Sequence, residues 1–95
     1  MNEQKNNQEL ILVNVVESLV RGKARELIKT MDMCKCDKCF MDVCAITLNR
    51  LKPKYVTTTR GELLSQISTF SSNYQSELMV EVLKALVAVK NSPKH

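Results

Sequence analysis

The stretch CKCDKCFMDVCAITLNRL, residues 34–51, contains all the cysteines of this 95-residue chain and the start of a helical pattern. The cysteines have the spacing C-x-C-x2-C-x4-C and are Cys34, Cys36, Cys39 and Cys44. From Phe40 onwards apolar residues recur every three or four positions, which predicts a helix over residues 38–51. Asp37 is its expected N-cap, and Pro53 is a firm stop. We therefore expect the first three cysteines on a loop and the fourth just over one turn into the helix.

Four thiolates in this arrangement can close a tetrahedral site around one ion, and structural zinc is our first interpretation. The two-residue gap between Cys36 and Cys39 is common in zinc sites, whereas the single-residue gap before Cys36 is tighter than usual. The alternatives are an iron–sulfur cluster, a redox pair, or free cysteines with Cys44 as a small buried apolar residue. A site filled by four protein ligands leaves no position for water or substrate, so we expect the metal to be structural.

Helical patterns also flank the cysteines. Apolar residues from 8 to 31 recur at spacings of three and four and predict a long amphipathic helix. Residues 52–59 begin near a proline and are rich in β-branched residues, which predicts an extended connection or a very short strand. Thr59 and Glu62 have the spacing of a capping box and open a third helical region.

Length and composition indicate one small all-α domain over residues 1–95, with residues 1–7 and 92–95 expected as frayed tails. The core should be aliphatic, because only 4% of the residues are aromatic. Two glycines and two prolines are too few for the turns of a small all-β domain. The apolar stripe over about residues 60–90 would make a helix of roughly 45 Å, wider than such a domain. Either it breaks near Ser71 or it extends into a partner chain, and the over-long stripes predict a homodimer.

Several classes of protein are excluded by what the sequence lacks. Its beginning has no basic region followed by a small-residue cleavage site, and no stretch approaches the roughly 20 apolar residues that span a bilayer. We expect a cytoplasmic protein without membrane insertion, where clustered cysteines bind metal or act in redox chemistry. No nucleophile with a base, catalytic carboxylate pair or glycine-rich phosphate loop is recognisable, so we predict that the protein is not an enzyme.

A basic run free of acidic residues extends over residues 50–60. It combines cations with an aromatic ring and hydroxyls: Arg50, Lys52, Lys54 and Arg60 with Tyr55, Thr57, Thr58 and Thr59. Together with the free N–H groups of the helix that follows, these groups could hold a phosphorylated nucleotide. Composition alone favours a simpler interpretation, a solvated loop whose cations complement a helix dipole. The net charge of +4 is modest, so we expect no direct binding of long nucleic acid.

Residues 34–56, CKCDKCFMDVCAITLNRLKPKYV, resemble the core of the ComFB family of late competence development proteins. The family pattern has C-x-C, a third cysteine, Asp-Val, Ala, Leu-Asn-Arg-Leu, and then proline, a basic residue, tyrosine and valine. The matching residues here are Cys34, Cys36, Cys39, Asp42, Val43, Ala45, Leu48, Asn49, Arg50, Leu51, Pro53, Lys54, Tyr55 and Val56. Two departures concern the basic run: Lys52 stands in place of the first proline of a frequent diproline, and Lys54 replaces the usual arginine. Lysine keeps the charge but loses the bidentate fork. Cys44 adds a fourth thiolate that not every member has.

The resemblance implies a small helical, zinc-binding homodimer that is not an enzyme and is linked to the competence operon for DNA uptake. It also implies a receptor for cyclic dinucleotides, namely cyclic di-GMP and in some members cyclic di-AMP, that passes its signal to a protein partner. On this hypothesis the ligand is bound by Arg50, Lys54, Tyr55, Thr57 and Arg60. The alternative is an interaction module in which zinc only fixes the fold and the helices dock an unidentified competence-related protein.

Overall fold

The computed structural model describes residues 9–68 and 71–95. Its elements in chain order are β1 (Leu10–Asn14), α1 (Val15–Ile28), α2 (Asp37–Leu48), β2 (Tyr55–Thr58), α3 (Thr59–Ser68) and α4 (Ser72–Asn91). The two strands form one antiparallel sheet, in which Val13 pairs with Val56 and Asn14 with Tyr55. The described part of the chain is thus mostly helical, with a small sheet that the all-α prediction did not contain.

The predicted helix over residues 8–31 is wrong at its beginning, because α1 starts only at Val15 and the preceding residues form β1. Ile11 and Val13 are β-branched and favour a strand. The decisive interaction is the pairing of β1 with β2, about forty positions away. The local pattern of apolar residues contains no information on such a distant contact. At the junction, the Asn14 side chain accepts a hydrogen bond from the backbone N–H of Val16 at 3.1 Å and caps α1.

The remaining boundaries lie close to their predicted positions. The extended segment before α3 is confirmed as a four-residue strand, and α2 ends at Leu48, three residues early. Each cap lies one residue before the predicted position: Cys36 caps α2, and the Thr58 hydroxyl accepts a 2.9 Å hydrogen bond from the N–H of Gly61 at the start of α3. Of the two alternatives for residues 60–90, the structure shows the break, since α3 ends at Ser68 and α4 begins after Ser71, whose side chain caps it.

The core lies between α1, α2 and α4, which pack against one another. Its buried members are aliphatic or small, as predicted, and the largest fully buried ones are Leu86, Val15, Val20, Val43, Val82, Thr47 and Cys39. The polar group of Thr47 is satisfied, because its hydroxyl donates to the carbonyl of Val43 at 2.8 Å. None of the helices in the described ranges is long and apolar enough to cross a membrane.

Candidate metal centre and nucleotide-binding surface

Three of the four cysteines meet a histidine at one end of α2. The ligand atoms of Cys34, Cys36, Cys39 and His95 all lie within 4.8 Å of one another. Cys39 is buried, whereas the other three residues are exposed, so the group lies at the protein surface. The structure therefore brings three of the predicted ligands together and adds His95 to them.

The geometry of this group fits a tetrahedral metal ion. With zinc–sulfur bonds of about 2.3 Å, two sulfurs of a tetrahedron lie about 3.8 Å apart. The ligand atoms now lie within 4.8 Å of one another. Side-chain rotations that shift these atoms by about 1 Å would bring them to the distances of a tetrahedral site. Three thiolates and one imidazole are also a standard donor set for structural zinc. A zinc ion held in this way would supply no redox chemistry, and a full set of protein ligands would leave no open position for a substrate.

The start of α2 shifts the pKa values of two of these cysteines in opposite directions. The Cys36 side chain caps the helix and accepts a hydrogen bond from the N–H of Cys39 at 3.5 Å, and this bond lowers the pKa of Cys36. Burial, with a smaller contribution from the neighbouring Cys34 and Cys36, raises the pKa of Cys39 to about 12, so binding of a metal by this thiol would release its proton. The Lys35 ammonium donates to the carbonyls of Met31 at 2.6 Å and Met33 at 3.2 Å, which holds the loop before the helix in shape.

Cys44, the predicted fourth ligand, is not part of this group in the described structure. Five positions along a helix correspond to a rotation of about 140° around its axis, so Cys44 faces a different side of α2 from Cys39. It is buried within the apolar core, and burial raises its pKa, an effect opposed by the nearby guanidinium groups of Arg21 and Arg25. Its surroundings are those of a small core residue, one of the alternatives considered from sequence.

Sequence reasoning missed His95. It lies more than fifty positions after Cys39, and the spacing matches no known zinc-binding pattern. The only sequence signal is that it is the single histidine of the chain.

The predicted nucleotide ligands are divided between two places. Tyr55 and Thr57 lie on the exposed face of β2, with Tyr55 62% exposed, and the exposed Lys54 and Arg60 flank the strand. Arg50 lies beside α4 instead, where its guanidinium is 3.9 Å from a carboxylate oxygen of Glu81. The structure therefore gives four of the five residues one shared surface, and Arg50 different surroundings.

A surface cleft of about 460 Å³ adjoins Tyr55. The side chains around it come from the sheet, α1 and α3, and they are Leu12, Val13, Asn14, Glu17, Ser18, Arg21 and Glu62. Arg21 and Glu17 lie one helical turn apart and form an ion pair of 3.7 Å. None of these residues was predicted to belong to a site, because it is the pairing of β1 with β2 that brings them next to Tyr55.

Comparisons with known proteins agree with the arrangement of these elements. The family model of the late competence development protein ComFB matches residues 13–93. No match is found among curated proteins. A solved structure described as the late competence protein ComFB from Bacillus subtilis is 25% identical, covers 88% of this chain and 93% of its own, and superposes with a TM-score of 0.80. The resemblance of the cysteine-rich stretch is thus confirmed from within β1 to beyond α4, and the chain belongs to the ComFB family.

Proposed function

We propose that this protein is a cytoplasmic, non-enzymatic receptor for a cyclic dinucleotide in the competence system, with a structural zinc ion and a homodimeric assembly. The observation that carries the proposal is the exposed face of β2, where Tyr55 and Thr57 lie between the cations Lys54 and Arg60. The Tyr55 ring is 62% exposed and lies beside two cations, so a base can reach it while a phosphate meets the cations.

Each group on this surface matches a part of the ligand. A cyclic dinucleotide carries two phosphates and two bases, and the Tyr55 ring offers a stacking face for a base. The Arg60 guanidinium can bind a phosphate through two parallel hydrogen bonds, while Lys54 contributes a point charge. The Thr57 hydroxyl can donate to a phosphate or ribose oxygen.

The adjoining cleft favours guanine over a phosphate as its occupant. Glu17, Arg21 and Glu62 line it, and the Arg21 cation is paired with Glu17. Glu62 therefore leaves the cleft with a net negative charge, which disfavours a phosphate there and leaves the phosphates to the side of Lys54 and Arg60. A carboxylate can accept two parallel hydrogen bonds from the adjacent N1–H and N2–H₂ donors of guanine, whereas adenine presents only its N6 amino group. Cyclic di-GMP is therefore the first ligand to test, and cyclic di-AMP the second.

Arg50 remains in the proposed ligand set. Its ion pair with Glu81 is long and half exposed, and such pairs contribute at most about 1 kcal/mol. A phosphate carrying a full charge can compete for the guanidinium at this cost.

The metal is proposed to be zinc, and its role is to fix the loop before α2 to the rest of the domain. A domain of this size gains much of its stability from such a link, because its apolar core is small. Native mass spectrometry should show one zinc ion per chain that a chelator removes. A metal-free protein prepared without chelator would refute this part of the proposal.

A second copy of the chain is the proposed occupant of an apolar stripe on α4. The stripe covers about 100° of the helix surface and consists of four exposed residues, Met79, Val80, Leu83 and Val87. Apolar stripes of this width are normally covered by another helix, and two copies related by a two-fold axis would cover each other.

The alternative, an interaction module without a small-molecule ligand, is favoured by exposed apolar residues that adjoin the same cleft, which Leu12 lines. Two leucines of β1 and two of α3 are highly exposed: Leu10, Leu12, Leu63 and Leu64. Exposed apolar clusters of this kind commonly mark protein-binding sites. On this alternative the unidentified competence-related protein docks there and no nucleotide binds.

Isothermal titration calorimetry with cyclic di-GMP on matched charge variants tests the receptor proposal. Arg60→Ala should weaken binding by about 10- to 100-fold, since a hydrogen bond to a charged group contributes about 1.5–3 kcal/mol. Lys29→Ala removes the same charge from an exposed residue at the far end of α1 and should leave the affinity unchanged. Equal weakening in both variants would show a non-specific charge effect and contradict the site.

A further inference from the structure

The segment that follows α4, residues 92–95, is held to the domain by few contacts. The N–H of Ser92 donates to the carbonyls of Ala88 at 3.2 Å and Val89 at 3.3 Å, which completes the last turn of α4. Beyond Ser92, no hydrogen bond or ion pair within the described ranges involves Pro93, Lys94 or His95, and all three are exposed. Nevertheless the imidazole of His95 lies among three thiols.

The course of this segment connects two parts of the fold. Ser92 and Lys94 line a mainly apolar groove of about 390 Å³ between α4 and α2. The other residues around this groove are Asp42, Ala45, Ile46 and Asn49 on α2 and Ala88 and Val89 on α4. The segment therefore passes along α2 to the end at which Cys36 and Cys39 lie.

We propose that His95, and not Cys44, is the fourth ligand of the metal, and that metal binding fastens the 92–95 segment to α2. Ordering four residues costs conformational entropy, and the segment has almost no contacts that could offset this cost. A metal–imidazole bond supplies the missing attachment, in the same way that metal binding drives the folding of other small domains.

We call this attachment of residues 92–95 to α2 through His95 the clasp. Through the clasp the metal controls the shape of the groove, in addition to supporting the loop before α2. Ser92 and Lys94 belong to the wall of the groove. The attachment of His95 to the metal holds this part of the wall in place, and loss of the metal releases it. The inference rests on the zinc part of the proposed function and is independent of nucleotide binding.

Cobalt substitution counts the thiolates at the site. Co²⁺ bound to the wild type should show charge-transfer absorption of three thiolates, and Cys44→Ala should give the same spectrum. His95→Ala should keep the charge-transfer intensity, change the ligand-field bands and weaken Co²⁺ binding by at least about tenfold, since even outer ligand partners are worth 10- to 100-fold. Lys94→Ala, the matched neighbour, should behave as wild type.

Backbone relaxation measured by NMR tests the clasp itself. On addition of Zn²⁺ the ¹⁵N heteronuclear NOE of Ser92, Lys94 and His95 should rise to helix-like values in the wild type and in Cys44→Ala, but not in His95→Ala. A four-thiolate spectrum that loses one thiolate in Cys44→Ala would overturn the inference and leave the zinc proposal intact. An unchanged NOE on metal binding would also overturn it. Failure to bind either Co²⁺ or Zn²⁺ would refute both the clasp and the zinc proposal. The calorimetric result for cyclic di-GMP would still decide the nucleotide proposal separately.

Discussion

The Oδ1 atom of Asn14 accepts a hydrogen bond from the backbone N–H of Lys54 at 2.8 Å, across forty positions of the chain. The same oxygen caps α1, and the carbonyl of Lys54 in turn accepts from the N–H of Val15 at 2.8 Å. One side chain thus fixes the start of α1 and the entry to β2 in a single arrangement. The proposed nucleotide surface begins at this junction, so its geometry depends on Asn14.

Replacing Asn14 by alanine should lower the free energy of unfolding by about 1–3 kcal/mol, because a helix cap and a second hydrogen bond are lost together. Asn14→Asp keeps an acceptor oxygen at the same position and should stay within about 0.5 kcal/mol of the wild type. Urea unfolding at one fixed protein concentration gives both values. If Asn14→Ala and Asn14→Asp lost the same unfolding free energy, the acceptor oxygen at position 14 would not be the source of the stabilisation.

Gly22 lies on the exposed side of α1, and a Cβ added there would meet nothing within 4 Å. Gly22→Ala should therefore raise the free energy of unfolding by about 0.5–1 kcal/mol, the usual gain for replacing glycine inside a helix. At Gly61 a Cβ would lie 3.1 Å from the Thr58 hydroxyl that caps α3, so Gly61→Ala should not show this gain. Thermal and urea unfolding of the two variants provide the comparison, and equal gains would contradict it.

Leu83 lies at the centre of the apolar stripe on α4 and tests the homodimer. Light scattering should give twice the chain mass of 10.8 kDa for the wild type and the mass of one chain for Leu83→Glu. A charge at the centre of an apolar helix contact is desolvated without a partner, which costs several kcal/mol. Met41→Glu places the same charge on an exposed methionine of α2 and should remain dimeric. A monomeric wild type would refute the dimer, and a dimeric Leu83→Glu would exclude this stripe as its contact.

The hydroxyl of Tyr74 is buried without a hydrogen-bond partner in the described structure. Burial is the main reason why the pKa of Tyr74 is raised, with a smaller contribution from Glu77. Tyr74→Phe should match or exceed the wild type in unfolding free energy at pH 7, by up to about 1 kcal/mol.

The sign of its pH dependence follows from the raised pKa. The folded protein holds the tyrosine proton more tightly than the unfolded chain does, whose pKa is about 10. The resulting stabilisation is complete below about pH 10 and is lost as the pH rises through the folded-state pKa. The wild type should therefore lose stability above pH 10 relative to Tyr74→Phe. Parallel pH profiles of the two proteins would contradict this account.

The parts of the fold that sequence could predict are those that local chemistry determines. The short strand after Pro53 follows from β-branched residues within a few positions. The break near Ser71, one of the two alternatives for residues 60–90, follows from the length that a single helix there would have. The gathering of Cys34, Cys36 and Cys39 likewise follows from their close spacing.

The parts that sequence missed depend on contacts between distant residues. Residues 10–14 have an apolar pattern that also suits a helix, and only pairing with β2 makes them a strand. The position of His95 follows from the way α4 packs against α2, which no spacing rule contains. Cys44 is the opposite case. It lies only five positions after Cys39, but the rotation of the helix places it in the core and away from the other cysteines.

Titration of the wild-type protein with cyclic di-GMP in a calorimeter tests the central claim, nucleotide reception, most directly. We predict a saturable heat of binding, which Tyr55→Ala should weaken by about 1–3 kcal/mol because a stacked base is lost. Tyr55 is exposed, so this variant should fold as the wild type does. No heat from the folded wild type at high micromolar cyclic di-GMP, and none from cyclic di-AMP, would contradict the claim and leave the interaction module as the function to pursue.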